Sequence, residues 1–232
     1  MNEHIQPTTV KRGFEEIAPL WEIIQGKGYI GGSYAAYMVA PDDGLIVSPN
    51  DIDVFLLPGH EMTDFCDFHG ELRDLGLVYW ANTPIARTYH PYPLHLAKIK
   101  RDVQLINPHP DWKTFPDDII ESFDLDVCRA VIVAPDCAYA DVNVGSKDGK
   151  YLRINDPLKS LKRALKYHHR GVEFSDWELL KLFQAWEQYP ADKRESLIAQ
   201  NKPELEQHFD DEDQGSYDGY NWYDDDDYFE CE

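Results

Sequence analysis

The sequence predicts an α+β fold: a mixed sheet flanked by helices, then a small helical segment, then an acidic tail that packs nothing. Three observations carry this expectation. Helical and strand-like patterns mix as far as Pro135, two capped helices follow, and the last stretch is too charged to bury a core. At 232 residues, 43% of them hydrophobic, the chain is long enough for one sizeable domain and an appendage.

Residues 11–25, KRGFEEIAPLWEIIQ, set Phe14, Ile17, Trp21 and Ile24 at helical spacing, and GKG breaks the pattern. A Gly-Gly-Ser turn and a short helix, YAAYMVA, lead to the strand DIDVFLL, which ends at Pro58-Gly59. In EMTDFCDFHGELRDLG the residues Phe65, Phe68, Leu72 and Leu75 share one helical face. From Leu77 to Pro108 the runs LVYW, IARTYH, LHLAKI and RDVQLINP have the β-branched, aromatic and alternating character of sheet. DWKTFPDDIIESF reads as a short helix, DLDVCRAVIVAP as a strand stopped by Pro135, and 136–153 as a hairpin or loop.

Two helices follow. Asp156 caps DPLKSLKRALKYHHRG with Pro157 at its first position and Gly171 past its end, and Ser175 opens SDWELLKLFQAWEQY. DKRESLIAQ is a candidate third. There is no internal repeat. The expected divisions are 1–153 for the mixed-sheet domain, 154–209 for a helical neck and 210–232 for a disordered acidic tail.

Net charge is −21, and the tail from Asp210 to Glu232 supplies about half of it with eleven Asp and Glu and no Lys or Arg. The body is therefore only mildly acidic. Cys66, Cys128, Cys137 and Cys231 form no CxxC pair, and no apolar run reaches the length of a signal or membrane segment. The expectation is a reduced, cytoplasmic protein with no structural zinc and no membrane partner.

GKGYIG, Gly26 to Gly31, matches the glycine pattern of dinucleotide-binding folds, and Asp51 lies at a suitable distance. Its context differs, because that fingerprint needs a strand before the glycines and here a helix precedes them. No phosphate-binding GxxxxGK[ST] loop is present either.

Asp51 and Asp53 alternate with Ile52 and Val54, so on a strand both carboxylates project from one face. Two close carboxylates repel and raise each other's pKa unless a cation lies between them. Mg²⁺ fits: it is a hard ion held by one or two carboxylates plus substrate phosphates. Gly31, Gly32 and Ser33 supply the complementary half, since glycines let backbone amides approach a phosphate and the following helix presents its positive end.

GGSYAA followed by DIDVFLL resembles the signature of the polymerase β-like nucleotidyltransferase superfamily: paired small residues, a short helix, then an Asp-x-Asp strand. RINDPLKSLKRALKYHHRGVEF is similar to the segment after the catalytic domain of tRNA CCA-adding enzymes and bacterial poly(A) polymerases, where a basic helix helps to bind the incoming nucleotide. The likeness spans most of residues 10–185. It implies a nucleotidyltransferase-type fold, with a nucleoside triphosphate held by Gly31, Gly32 and Ser33 and by Lys159, Lys162, Arg163, Lys166 and Arg170 near one face of the basic helix. It further implies two Mg²⁺ ions on Asp51 and Asp53 and release of pyrophosphate.

The superfamily adds a third carboxylate from a neighbouring strand as metal ligand and base. RDVQLINP should bear it, yet Gln104 occupies that place. Asp102 on the same strand face, or Asp124 and Asp126 on one face of an expected adjacent strand, could serve instead, with Asp124 preferred as the third catalytic residue. Only a modest basic helix is available for RNA, so the expected acceptor is an RNA end such as that of tRNA, a protein side chain or a small molecule rather than a long duplex. The alternative is a catalytically weakened member of the fold that binds nucleotide or a protein partner. In the tail, Tyr217, Tyr220, Trp222, Tyr223, Tyr228 and Phe229 interleave with the acids, a composition suited to imitating a nucleic-acid strand toward a basic partner or the chain's own basic helix.

Overall fold

The computed structural model describes residues 4–45, 49–60, 66–196 and 198–199, and its centre is one eight-stranded mixed sheet. In chain order the elements are β1 (Ile5–Thr8), α1 (Phe14–Ile24), β2 (Gly28–Gly31), α2 (Gly32–Val39), β3 (Asp51–Leu56), α3 (Cys66–Asp74), β4 (Leu77–Asn82), β5 (Ala86–Pro91), β6 (Asp102–Ile106) and α4 (Asp117–Ser122). A 3-10 turn (Asp126–Cys128), β7 (Ala130–Ala134), β8 (Cys137–Asp141), β9 (Asp148–Gly149), α5 (Pro157–His168), β10 (Glu173–Phe174) and α6 (Asp176–Gln188) complete the order. The described residues up to Trp186 form one compact unit, and those from Glu187 onward belong to a second. The acidic tail and Phe65 lie outside the described residues. Among those described, no helix is long and apolar enough to cross a membrane.

The sheet order is β1-β8-β7-β2-β3-β6-β5-β4. β3 and β6 run parallel and every other pair of neighbours in this sheet is antiparallel. Alternation along β3 sends Ile52, Val54 and Leu56 into the main core, with Leu20 and Ile24 of α1, Tyr34 and Met38 of α2 and Leu72 of α3. Phe55 points the other way and packs with Ile119 and Ile120 of α4 and Val131 of β7. A third cluster joins the 3-10 turn to α5 and α6 through Val127, Cys128, Ala164 and Leu182. The sheet is thus covered on both faces around β3, and Asp51 and Asp53 project to the face that Phe55 shares.

Several expectations are corrected. β1 and β2 were absent from the expected order, since IQPT contains Pro7 and GYIG is short and glycine-bounded. As an edge strand β1 tolerates the missing N–H. β2 replaces the expected direct passage from α1 into the glycine turn, and its antiparallel pairing with β3 is unlike a dinucleotide-binding βαβ unit. LHLAKI forms turns rather than a strand: the Leu96 and Ala97 amides turn back to the Pro93 carbonyl, and Leu94 and Leu96 are exposed. Asp124 and Asp126 are not on a strand, which begins only at Ala130. The α5 caps hold as expected, with Asp156 Oδ1 accepting from the Leu158 and Lys159 amides, both at 3.1 Å. Cys128 and Cys137 are free thiols.

Candidate functional site

The site begins where β2 passes into α2. Gly31 pairs with Asp53 across the ladder, and Gly32 adopts a left-handed φ of 71°. A Cβ on Gly32 would lie 3.0 Å from Asp53 Oδ2, and one on Gly31 would lie 2.7 Å from the Phe55 ring and 3.2 Å from that of Phe123. Glycine is needed at both places, once for a carboxylate and once for aromatic rings. Gly32→Ala is expected to cost about 1–2 kcal/mol of stability from the left-handed backbone alone. The matching fall in Tm, about 2–8 °C, is readable by calorimetry, and an unchanged Tm would contradict this account.

Asp51 and Asp53 project together as their alternation requires. Both are half-buried, and Asp51 Oδ1 is buried without a hydrogen-bond partner. Burial, then the neighbouring Asp51 charge, push the Asp53 carboxyl up to about 7, against the opposing pull of Lys166 and Arg163. Among the described residues neither aspartate forms an ion pair with Lys or Arg. An orphaned buried oxygen beside a carboxyl of raised pKa is chemistry that a hard cation would relieve, since the cation would partner the one and favour ionisation of the other. The donor set therefore fits a divalent cation.

α5 faces this pair. Arg163 and Lys166, close to one helical turn apart, bring their charges within reach of Asp53. Arg163 Nη1 also binds Asp124 Oδ2 at 2.7 Å. One turn on, the Arg170 guanidinium lies 5.8 Å from the centroid of the Tyr167 ring, and its buried Nη1 has no hydrogen-bond partner. Ser33, Tyr37, Leu45, Tyr167 and Arg170 line a cavity of about 30 Å³, room for a water or two or the tip of a phosphate. Lys159 is exposed on the first turn and Lys162 is half-buried on an adjoining row, so Arg163, Lys166 and Arg170 are the cations whose placement bears on the acids and the cavity.

The candidates for a third carboxylate occupy three different places. Register pairs Asp53 with Gln104 and Asp51 with Asp102 on the parallel strand β6. Gln104 is buried, and Asp102 Oδ1 lies 2.6 Å from His90 Nδ1. Asp124 follows Phe123, which packs against both glycines, and its carboxylate is engaged by Arg163. Asp126 is fully buried, accepts from the Lys150 amide at 2.8 Å, and is pushed up to about 6 chiefly by burial. Among the described residues no cluster of three or more His, Cys, Asp or Glu is placed to hold a metal. What the structure brings together is a pair of acids opposite a cationic helix, with Asp102 and Asp124 on its flanks.

Two neighbours escaped sequence reasoning. Tyr167 is held well above the usual phenol range by burial, then by Cys128, with Asp51 adding to it, and Cys128 itself is pushed up to about 12 by burial and then by Asp124. Both stay neutral, and Tyr167 walls the cavity. The position of Tyr167, four residues after Arg163, was the available signal. No protein-family model matches the chain, and no curated protein matches it significantly.

Proposed function

We propose that this chain is a Mg²⁺-dependent nucleotidyltransferase of the polymerase β-like type, moving a nucleoside monophosphate from a triphosphate onto an acceptor hydroxyl. The observation that carries the reading is the half-buried Asp51–Asp53 pair, set against Gly32 and faced by Arg163 and Lys166 without ion pairing. The order of a glycine-ended strand, a short helix and an antiparallel Asp-x-Asp strand adds to it. Held by the aspartates, divalent ions would neutralise phosphate charge as Lewis acids. Ser33 and the amides opening α2 bind phosphate oxygens, while Arg163, Lys166 and Arg170 stabilise the charge that develops on the leaving pyrophosphate. The acceptor oxygen bonds to the α-phosphorus, the bond from that phosphorus to the bridging oxygen breaks, and the acceptor proton passes to Asp124 or Asp102.

The test is release of pyrophosphate from a panel of nucleoside triphosphates with Mg²⁺, measured beside Asp51→Ala. Release by the parent and its loss in the variant support the reading, and no release from any nucleotide overturns it. Asp124→Asn and Asp102→Asn identify the base, which is the one whose loss stops turnover while nucleotide binding persists. A second reading, a nucleotide-binding protein without turnover, is favoured by Gln104 standing in register with Asp53 and by the Arg163 clamp on Asp124. Nucleotide binding with no pyrophosphate would select it.

A further inference from the structure

The two acids that flank the pair are held in different ways. Asp102 stands in register with Asp51 on the parallel strand β6, one strand spacing of about 4.8 Å away. Partners in register project from the same face of a sheet, and Ile106, four residues after Asp102, joins the cluster of Phe55 on that face. His90 follows on β5, with its Nδ1 2.6 Å from Asp102 Oδ1. Between Tyr79 and Ala81 the β4–β5 ladder slips, and the Trp80 ring comes to lie 5.6 Å from the His90 ring, tilted by 41°. Asp51, Asp102, His90 and Trp80 thus form a row across β3, β6, β5 and β4. The Asp102 side chain is 24% exposed and that of His90 41%, so a bound substrate can reach the carboxylate. Asp124 Oδ2, by contrast, is taken by Arg163, one of the cations facing Asp53.

We propose that His90 is a positioning residue for the transfer reaction: its Nδ1–H holds Asp102 as the proton acceptor, and Trp80 holds the imidazole. The inference rests on the transfer reading, and it selects Asp102 over Asp124 as the base. A partly exposed aspartate can swing about its side-chain torsions, whereas a base must keep its oxygen within about 0.5 Å of the productive place. The imidazole takes Oδ1 and so aims Oδ2. That oxygen accepts the proton while the acceptor oxygen bonds to the α-phosphorus and the bridging oxygen leaves with its electron pair. Which ring nitrogen of a histidine carries the proton is set by the hydrogen bond the ring makes, and here the carboxylate requires it on Nδ1. Asp124 does different work, orienting a cation that the transfer reading gives to phosphate.

The test has two readouts on the full-length chain. In ¹⁵N spectra the neutral His90 ring, assigned by its loss in His90→Asn, is expected to carry its proton on Nδ1 in the parent and to lose that preference in Asp102→Ala. The second readout is single-turnover pyrophosphate release from the nucleotide panel with Mg²⁺, water serving as the acceptor. His90→Phe keeps a ring against Trp80 and removes the donor. Its maximal rate is expected to fall about tenfold to a hundredfold while the half-saturating nucleotide concentration stays unchanged. His90→Asn, whose amide N–H stands close to the place of Nδ1, is expected to recover most of that loss. In an Asp102→Asn background His90→Phe is expected to cost nothing more, because the group it positions is gone. Unchanged melting curves will show that folding is not the cause. A proton on Nε2 in the parent, a His90→Phe rate equal to the parent's, or equal losses in His90→Phe and His90→Asn each overturns the inference and spares the transfer reading. No release by the parent overturns the transfer reading and this inference with it.

Discussion

Asp53→Asn is expected to abolish the proposed transfer, by about 10³-fold or more, and at the same time to make the protein more stable than its parent above neutral pH in the absence of divalent ions. Both effects come from one carboxylate. In the folded chain it ionises near pH 7, and in the unfolded chain near its ordinary 3.8. Between those values the unfolded state has released a proton that the folded state still holds, so stability falls as pH rises through the window. The loss is on the order of a few kcal/mol by the alkaline end, and asparagine does not incur it. Melting curves of parent and variant in chelator, at about pH 5 and about pH 8, read the difference directly. If the variant gains nothing over the parent at the higher pH, the account of the site as two crowded acids is wrong. Mg²⁺ should stabilise the parent at the higher pH and leave the variant unmoved.

Arg129→Ala is expected to destabilise the protein by about 3–5 kcal/mol. The guanidinium is almost wholly buried between Glu121 of α4, at 2.8 Å, and Asp141 of β8, at 3.2 Å, and its Nε donates to Ile120 O at 3.1 Å. Asp141 is itself buried, so truncating the arginine strands a charge where water cannot reach it. A fall in Tm of about 6–20 °C follows for a chain of this size. The double change Arg129→Met with Asp141→Leu should recover much of it, because removing both charges removes the stranded one. A loss below about 1 kcal/mol in Arg129→Ala would show the network to be ornamental. The contact bears on the site as well, since α4 ends at Phe123, the ring beneath Gly31 and Gly32.

How much was legible follows from where each signal resides. β3 was readable because alternation is a local property: Ile52, Val54 and Leu56 had to face a core, so Asp51 and Asp53 had to share the other side. α5 was readable from its cap and its stop, both written within one turn of the helix ends. β2 was not, because four residues bounded by glycine carry no periodicity, and only pairing with β3 and β7 makes them a strand. The turns at Leu94–Lys98 misled because they alternate like a strand while the Leu96 and Ala97 amides are spent on the Pro93 carbonyl.

Taken alone, the sequence determined elements such as α1, β3 and α5, the shared face of the two aspartates and the charge of α5, since each depends on neighbours a few residues away. Tertiary structure decided which charges meet: Arg163 with Asp124, Lys166 near Asp53, His90 with Asp102, and Gln104 beside Asp53. It did so because register across β3, β6 and β5 and the seating of α5 join residues far apart in the chain, and electrostatic interaction depends on distance through space rather than along the backbone.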